Sequence, residues 1–512
     1  MTDAHRIRRN TIADAVHRAA THFGDRTALT FGDRAWSFRA LDEAAGRIGR
    51  HLLSLGLTRG DRVAAYGRNS DAYVLLWLAC VRVGLVHVPV NYALTGEELT
   101  YIVGQSGAAA LVCDAALEAN LAPVRELGGV RHYLDFAALP ALARDPAIGP
   151  DLDVDVAETD LAQLLYTSGT TALPKGAAMS HAALLAEYTS CILALELTAA
   201  DRSIAALPLY HSAQMHCFLM PSLLVGAATL LLPAPAAETV LELIERHRMT
   251  TFFAPPTVWI SLLRHPDFAR RDLSSLKSVF YGASIMPVPV LEELRARLPE
   301  ARPFNCYGQS EIGPLATVLK PEDHDARPGS VGRPIFNVQT RVVDAAMNDA
   351  GPGVQGEIVH RSPQLLVGYW DKPEATDDAF AGGWFHSGDV GYFDADGFLF
   401  IVDRIKDVIN TGGVLVASRD VEEALFTHPA VSEVAVIALP DPKWIEAITA
   451  VVVLRPGMAA TEEELVAHAR RHLAPFKLPK RIIFAEDLPR NTAGKLLKRE
   501  LRRVHGAATP WS

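Results

Sequence analysis

The chain has 512 residues, of which 49% are hydrophobic and 21% charged, an ordinary composition for a globular protein but too long a chain for one hydrophobic core. Two or three domains are therefore expected. The formal net charge of −10 argues against a nucleic-acid-binding protein, which would normally carry a basic patch. Five scattered cysteines without a C-x-x-C pair indicate small buried side chains in a reducing compartment, rather than a disulfide framework or a metal site.

The sequence also bears on membrane insertion and secretion. Residues 1–10 are polar and charged, so no secretory signal is visible. The longest stretch without a charged residue or a histidine, residues 217–237, could span a bilayer by length, but three prolines and a glycine interrupt it. We interpret it as a buried helix followed by a buried strand at 228–232, and we expect a cytoplasmic protein without a transmembrane segment.

The first half of the chain alternates between helical and strand patterns. Thr11, with Asp14 at the capping-box position, predicts the start of an amphipathic helix. Further on, the patterns predict strands and one mostly apolar helix, in the order strand 62–66, helix 72–83, strand 86–90, strand 205–207, strand 251–254 and strand 278–281. Strand–helix–strand alternation implies right-handed crossovers and a largely parallel sheet, so we predict an α/β fold.

The sequence pattern changes at about Gly329. Short β segments separated by Gly, Pro and Asp follow, at 339–343, 357–360 and 397–402. An α+β pattern then follows the segment around Lys406. We therefore predict an N-terminal domain at 1–403 with a β-rich subdomain at about 329–403, a hinge at 404–407 centred on Lys406, and a small mobile α+β C-terminal domain at 408–512.

A segment of small hydroxylated residues and glycines runs from Tyr166 to Gly176 and contains Lys175. The apolar pair Leu164-Leu165 precedes it, which predicts a buried strand running into an anion-binding loop. Glycines let the backbone approach an anion, while hydroxyls, N–H groups and a lysine supply donors. The spacing differs from that of the P-loop, and a plain surface loop is the alternative.

Three later segments also carry residues suited to nucleotide chemistry. They are 305–311 with Tyr307 and Glu311, 383–389 ending in Asp389, and 489–495 ending in Lys495. A carboxylate beside a phosphate site suits Mg²⁺, which prefers oxygen ligands. Taken alone, these segments could be a turn with an exposed glutamate, a β-turn aspartate and a solvated basic helix.

The four segments, in this order, resemble the adenylate-forming superfamily of acyl-CoA synthetases, nonribosomal-peptide adenylation domains and firefly-type luciferases, with the fatty-acyl-CoA synthetase branch the most similar. The resemblance covers essentially the whole chain. It departs from the family pattern at Ala172, where a glycine is usual, and at Ser310, which replaces a threonine.

The resemblance implies roles for individual residues. It implies Lys495, Glu311, Ser310 and Thr167 as catalytic residues, with Glu311 as the metal ligand. For ATP it implies a set made of phosphate, base and ribose contacts: Thr167, Ser168, Gly169, Thr170, Thr171, Lys175, Gly282, Ala283, Ser284, Tyr307, Gly308, Ser310, Asp389, Arg404 and Lys495. Lys495 would orient and stabilise the charge that develops as a carboxylate attacks the α-phosphate.

The acid pocket and the acceptor side are less specific in the sequence. Pocket candidates are His211, His216, Val258, Trp259 and Ser284, although a single histidine in an apolar run is more often a packed core residue. Gly412 and Gly413 are expected on the coenzyme A side. The pair that follows them, Val414-Leu415, replaces the polar pair common in relatives, which leaves open either neutral drift or a different acceptor.

The function that the resemblance implies is activation of a carboxylic acid by ATP and Mg²⁺ to an acyl-adenylate, followed by transfer to coenzyme A. The chain would be an AMP-forming ligase of fatty or aryl acid metabolism. Alternatives are transfer to an amine, to an acyl-carrier-protein thiol or to another small nucleophile, activation of a non-carboxylate oxyacid, and a catalytically silent nucleotide-binding protein. The acid and the oligomeric state are not readable from the sequence.

Overall fold

The computed structural model of the chain describes residues 7–152, 154–167, 173–284, 286–490 and 496–506. Its strands up to residue 334 are β1 (Thr27–Phe31), β2 (Arg34–Ser37), β3 (Arg62–Tyr66), β4 (Val86–Val90), β5 (Ala108–Cys113), β6 (His132–Asp135), β7 (Leu161–Thr167), β8 (Lys175–Ser180), β9 (Arg202–Ala205), β10 (Ala228–Leu231), β11 (Thr251–Ala254), β12 (Ser278–Gly282), β13 (Arg302–Gly308), β14 (Leu315–Leu319) and β15 (Arg333–Pro334).

The remaining strands are β16 (Gln339–Val343), β17 (Gly356–Arg361), β18 (Gly368–Tyr369), β19 (Phe385–Phe393), β20 (Leu399–Arg404), β21 (Ile409–Thr411), β22 (Val414–Val416), β23 (Val431–Asp441), β24 (Ile445–Leu454) and β25 (Arg481–Phe484). The α-helices are α1 (Ile12–Phe23), α2 (Phe38–Ser54), α3 (Asp71–Val83), α4 (Gly96–Ser106), α5 (Ala122–Leu127), α6 (Leu139–Arg144), α7 (His181–Ala194), α8 (Met220–Val225), α9 (Ala237–His247), α10 (Pro256–Arg264), α11 (Val288–Arg297), α12 (Pro373–Ala379), α13 (Ser418–Phe426), α14 (Glu462–Ala469) and α15 (Lys498–Gly506).

Two large sheets dominate the part of the chain before residue 335. The nine-stranded sheet has the order β15-β14-β13-β12-β11-β9-β10-β1-β2, and the seven-stranded sheet has the order β18-β8-β7-β4-β3-β5-β6. Neighbours from β1 to β13 across the middle of the first sheet are parallel, as are β4, β3, β5 and β6 in the second. The predicted α/β fold with parallel-rich sheets is therefore confirmed.

Helix α3 lies at the centre of the largest apolar core. Ser70 caps its first turn by accepting from the Tyr73 N–H, and Gly84 ends it with a φ of 72°. Arg82 is its only residue that is not buried. The core around it joins residues of both large sheets, such as Leu29 and Val63. A helix that is apolar on almost every side must be covered on almost every side, and α3 therefore packs against both sheets in one shared core.

Two smaller sheets follow. The first is antiparallel and has the order β16-β17-β19-β20, and the second contains β22-β21-β24-β23 with β25 paired to β24. Strand β20 ends at Arg404, a turn covers residues 405–407, and β21 begins the second sheet at Ile409. The short segment around Lys406 thus connects two separate sheets.

Most predicted elements lie where the sequence placed them. Strands β3, β4, β11 and β16 have the predicted bounds, and the Thr11–Asp14 capping box is present. The prediction of a strand at 205–207 was wrong, since the observed strand begins three residues earlier and ends two residues earlier. It lies at Arg202–Ala205, because Pro208 follows and the Leu207 N–H donates to the Gln214 side chain instead of to a neighbouring strand.

The uncharged stretch 217–237 forms buried helix and then strand, as predicted, although its first part belongs to a π-helix at Ala213–Leu219. Within the described ranges, every helix is too short or too polar to span a bilayer. All five cysteines are buried and free.

Candidate active site

The predicted phosphate loop lies between two paired strands. Strand β7 ends at Thr167, β8 begins at Lys175, and these two residues are opposite each other in an antiparallel pair. The connecting loop therefore leaves and re-enters the sheet at one place. Ser168, Gly169, Thr170 and Thr171 of this loop lie outside the described residues, so their phosphate contacts stay predictions.

Glu311 lies beside the end of β7. Its Oε1 atom accepts a 2.9 Å hydrogen bond from Thr167 Oγ1 and a 3.2 Å hydrogen bond from Tyr369 Oη. Burial, together with the Glu311 charge, raises the pKa of Tyr369, so this phenol stays a donor. The Lys175 ammonium is 5.0 Å from the centre of the Tyr369 ring. A carboxylate, hydroxyl groups and an ammonium group therefore converge at the two ends of the loop.

The chemistry of this group fits a hard cation and a phosphate. Glu311 is 9% exposed, and its carboxylate contacts hydroxyl oxygens rather than sulfur or imidazole. Oxygen is the ligand type that Mg²⁺ prefers. Next to it, Ser310 Oγ is 2.8 Å from Ser212 Oγ. This contact ties the Glu311 loop to the segment that precedes the π-helix.

Asp389 and Tyr307 form a second polar centre. Strand β19 pairs with β20 so that Asp389 is opposite Arg404, and Arg404 Nε is 3.4 Å from Asp389 Oδ1. Tyr307 Oη donates a 2.7 Å hydrogen bond to Asp389 Oδ2. Burial and the neighbouring carboxylate raise the pKa of Tyr307, which keeps the phenol protonated. The sequence predicted these three residues separately, and the structure brings them together.

The strand ends beside Tyr307 leave little room for side chains. A Cβ on Gly282 would lie 2.2 Å from the Cys306 carbonyl oxygen, and a Cβ on Gly308 would lie 2.0 Å from the Pro314 oxygen. Ala283 has a φ of 62°, and it is exposed together with Ser284. The two glycines therefore let neighbouring backbone segments pack closely at the predicted border of the adenine base.

The predicted pocket residues have different environments. His211 is half-buried directly before the π-helix, and its Nδ1 accepts from the Ala213 N–H at 3.2 Å. Val258 is half-buried between two apolar clusters. Trp259 is 1% exposed, and its indole N–H donates to the Phe280 carbonyl at 3.1 Å. Trp259 thus has the contacts of a core residue.

His216 is completely buried and bonded through both ring nitrogens. Its Nε2 is 2.6 Å from Gln163 Oε1, and its Nδ1 is 2.8 Å from Tyr188 Oη. Burial lowers the pKa of His216 to about 3, so the ring is neutral. Because Gln163 lies on β7, this histidine anchors the π-helix to the strand that carries Thr167.

The segment that the sequence predicts on the acceptor side is a tight hairpin. Gly412 and Gly413 have φ values of 66° and 87° and connect β21 to β22, a turn in which glycine is strongly favoured. Val414 and Leu415 are 44% and 69% exposed at its tip. In the turn at 405–407, burial and the nearby Arg404 charge lower the pKa of Lys406 to about 8.

Lys495 lies outside the described residues, so its catalytic role stays a prediction. The sequence analysis missed four residues that contact the site loops: Ser212, Tyr369, Glu187 and Gln364. For Tyr369, the only local signal was its position at the end of a short apolar run before a tryptophan. The contacts of all four are long-range, and local patterns do not reveal them.

These features are typical of the class of adenylate-forming enzymes. They are a loop that ends in a lysine, a buried carboxylate among hydroxyls, and an aspartate–arginine pair, all on an α/β scaffold. The AMP-binding enzyme model matches residues 16–370, and the AMP-binding enzyme C-terminal domain model matches residues 420–495. The chain therefore belongs to the AMP-binding enzyme family.

Similar proteins agree with this assignment. Feruloyl-CoA synthase of an Amycolatopsis species is 36% identical over 94% of this chain and 96% of its own length. A long-chain-fatty-acid–CoA ligase of Bacillus subtilis is 31% identical over 96% of this chain and 94% of its own. The crystal structure of ATP-bound MatB from Rhodopseudomonas palustris is 31% identical, with a TM-score of 0.90 over 96% of this chain and 99% of that one.

Proposed function

We propose that this chain is an AMP-forming acid–CoA ligase that activates an aromatic or other short carboxylic acid. The observation that carries the proposal is the convergence of Thr167 and Lys175, the two ends of the phosphate loop, with Glu311 and Tyr369. The relatives named as CoA ligases cover nearly the whole chain, which supports the same reaction here.

In the first step, a carboxylate oxygen of the acid attacks the α-phosphorus of ATP. The bond from that phosphorus to the β-phosphate bridging oxygen breaks, which gives an acyl-adenylate and pyrophosphate. Lys175 and the loop donors hold the departing phosphates, and Lys495 stabilises the negative charge at the α-phosphate. The Asp389 carboxylate accepts hydrogen bonds from the ribose hydroxyls, while Tyr307 packs against the base.

Glu311 holds a Mg²⁺ ion in this proposal, with the Thr167 hydroxyl beside it. The ion neutralises phosphate charge when it is bound. The residues of this chain do the rest: Ser310 presents its hydroxyl to the α-phosphate. The exposed residues Ala283 and Ser284, with Gly282 and Gly308 at the adjacent strand ends, border the base.

In the second step, the thiolate of coenzyme A attacks the acyl carbon, and the bond to the phosphate oxygen breaks, which gives a thioester and AMP. We propose that residues 408–512 turn about the segment at Lys406 between the steps, which withdraws Lys495 and brings Gly412 and Gly413 to the site. One cavity then serves two reactions in sequence.

The class of acid is inferred from the apolar cluster that contains Ile312, the residue after Glu311. In it, the rings of Phe218 and Phe253 are stacked with centres 4.1 Å apart, and Phe280 lies 5.2 Å from Phe218. Val258 and Tyr307 pack against its edge. We propose that the acid binds against the edge of this buried aromatic cluster, where flat rings favour a planar or short substrate over a long flexible chain. The name of the feruloyl-CoA synthase relative supports this choice.

A second candidate function is transfer of the activated acid to an acceptor other than coenzyme A, such as an amine or an acyl-carrier-protein thiol. The exposed apolar pair Val414 and Leu415 favours it, because apolar side chains occupy the two positions after Gly413 in the hairpin that would meet the acceptor. The buried, free cysteines suit a reducing compartment, and we propose the cytoplasm as the location.

The test is acid-dependent ATP–pyrophosphate exchange across cinnamic, benzoic, short aliphatic and long-chain acids, followed by AMP release with and without coenzyme A. We expect exchange with aromatic or short acids and AMP release that coenzyme A accelerates. Exchange that coenzyme A does not accelerate favours the second candidate. Exchange only with long-chain acids contradicts the proposed acid class, and ATP binding without exchange contradicts the proposed reaction.

A further inference from the structure

A buried carboxylate outside the predicted site lies directly beneath the Glu311 loop. Glu187 of α7 is 0% exposed, and its Oε1 accepts a 2.9 Å hydrogen bond from the Leu315 N–H. The same oxygen accepts from the Cys191 thiol at 3.1 Å. Burying a carboxylate is costly, so its retention here needs a compensating set of contacts.

Gln364 completes this set. Its side-chain nitrogen lies 2.5 Å from Glu187 Oε2, 2.9 Å from the Ile312 carbonyl oxygen and 2.6 Å from the Leu315 carbonyl oxygen, and these three acceptors share its two N–H groups. Its oxygen accepts from Ser190 Oγ at 3.0 Å. The two side chains together therefore hold both ends of the four-residue segment 312–315 that follows Glu311.

The backbone of Glu311 is fixed from the same side. The Leu366 N–H donates to the Glu311 carbonyl at 2.8 Å, and Leu366 is two residues beyond Gln364. Gly313, inside the held segment, has a φ of 104°, and a Cβ there would lie 3.0 Å from the Glu187 side chain. The loop thus passes so close to Glu187 that its path depends on that side chain.

Glu187, Cys191 and Cys217 also form the single group of three potential metal ligands found among the described residues. However, both Glu187 oxygens already accept hydrogen bonds from N–H or S–H donors, and the Cys191 thiol donates to Glu187 while its sulfur lies 3.8 Å from Cys217 Sγ. These contacts describe a satisfied hydrogen-bond network, and they favour a role in holding the loop over a role in binding an ion.

We propose that Glu187 and Gln364 are positioning residues that hold segment 311–315, and through it the Glu311 carboxylate, in the place where it meets Mg²⁺–ATP. The inference rests on the proposed function, since it takes Glu311 as the metal ligand. Neither residue touches the nucleotide in this account. Their effect is to fix the position of the short connection between the 3-10 helix Ser310–Ile312 and strand β14.

The test is Glu187→Gln, which keeps the shape of the side chain but replaces one acceptor oxygen by an amide NH₂. Either the Leu315 N–H or the Gln364 side-chain N–H then loses its acceptor. At about pH 9, where the buried Glu187 carboxyl with its raised pKa of about 8 is ionised, we expect a rise of about tenfold in the Mg²⁺ concentration needed for half-maximal ATP–pyrophosphate exchange, the scale of one lost hydrogen bond to a charged group. The KM for the acid should stay close to the wild-type value. Ser190→Ala removes a donor to Gln364 and should give a smaller shift in the same direction, and it serves if Glu187→Gln does not fold.

Thr189→Ala, on the exposed side of the same helix, is the matched control and should leave the Mg²⁺ dependence unchanged. A variant with a lowered melting temperature but wild-type Mg²⁺ dependence would overturn the inference. Calorimetric titration of the wild type and Glu187→Gln with ATP, with and without Mg²⁺, separates the two proposals. Loss of the Mg²⁺-dependent gain in affinity supports the positioning role even if no acid supports exchange, and an equal gain in both proteins contradicts it.

Discussion

The Thr167 hydroxyl donates a 2.9 Å hydrogen bond to the Glu311 carboxylate, although the two residues are 144 positions apart in the chain. Thr167 ends a strand of the seven-stranded sheet, and Glu311 follows a strand of the nine-stranded sheet. The contact therefore places the end of the predicted phosphate loop, on one sheet, against Glu311, the proposed metal ligand, on the other. ATP would be bound at the junction of the two sheets, which the buried helix α3 holds in place.

Glu311→Gln should reduce acid-dependent ATP–pyrophosphate exchange by about 10²–10³-fold, the scale for removing one electrostatic stabiliser. The amide keeps the size of the side chain but loses the charge that a Mg²⁺ ligand needs. Thr167→Val, which removes only the hydroxyl, should cost about tenfold. Exchange rates at saturating and limiting Mg²⁺ measure both effects, and a larger loss in Thr167→Val than in Glu311→Gln would contradict the ligand assignment.

Asp389→Asn should raise the KM for ATP by about tenfold, because a neutral amide is a weaker acceptor for the ribose hydroxyls than a carboxylate. Tyr307→Phe is the matched variant, since it removes the 2.7 Å hydrogen bond to Asp389 and leaves a ring against the base. It should have the smaller effect on this KM. Steady-state exchange with varied ATP checks both, and an unchanged KM in Asp389→Asn would show that Asp389 does not contact the ribose.

Local patterns were sufficient for most of the fold. Strands such as Val86–Val90 are short, mostly apolar runs between turn residues, and the Thr11–Asp14 capping box requires only three residues of spacing. The site residues Glu311 and Asp389 lie in segments whose order in the chain resembles a known family. Both kinds of information are present in the sequence itself, without knowledge of any contact.

Contacts between distant segments could not be predicted in this way. His216 was expected to line the acid pocket, but its neighbours Gln163 and Tyr188, on a strand and a helix of other segments, bond both of its ring nitrogens. Glu187 was not identified at all, because a glutamate on a helix is normally exposed. Its buried position depends on packing against the loop at Leu315, which is 128 residues away.

Lys495→Ala should reduce adenylation by about 10²–10³-fold, because it removes a cation that stabilises charge at the α-phosphate. The thioester step, started from supplied acyl-adenylate, should remain largely intact, since Lys495 would be withdrawn from the site in that step. Exchange measures the first step, and release of AMP from acyl-adenylate with coenzyme A measures the second. Equal losses in both steps would contradict the role that the motif implies for Lys495.

Glu187 should make the stability of the protein depend on pH. Burial raises the pKa of this carboxyl from 4.5 to about 8 in the folded protein. Between these two values the unfolded chain binds fewer protons than the folded one, so the free energy of unfolding falls as pH rises, by up to about 1.4 kcal/mol per pH unit. Below pH 4.5 and above about pH 8 the contribution is constant.

The neighbouring groups Tyr188, Cys191 and Cys217 have raised pKa values, also through burial, and stay neutral over this window. Glu187→Gln removes the titrating group, and all other groups are common to both proteins. Urea unfolding of the wild type and the variant at about pH 5 and about pH 7.5 isolates the contribution of Glu187 to the free energy of unfolding. We expect the wild type to lose more unfolding free energy than the variant between the two conditions. Equal losses, or a gain in the wild type relative to the variant, would show that this carboxyl is already ionised in the folded protein near pH 5.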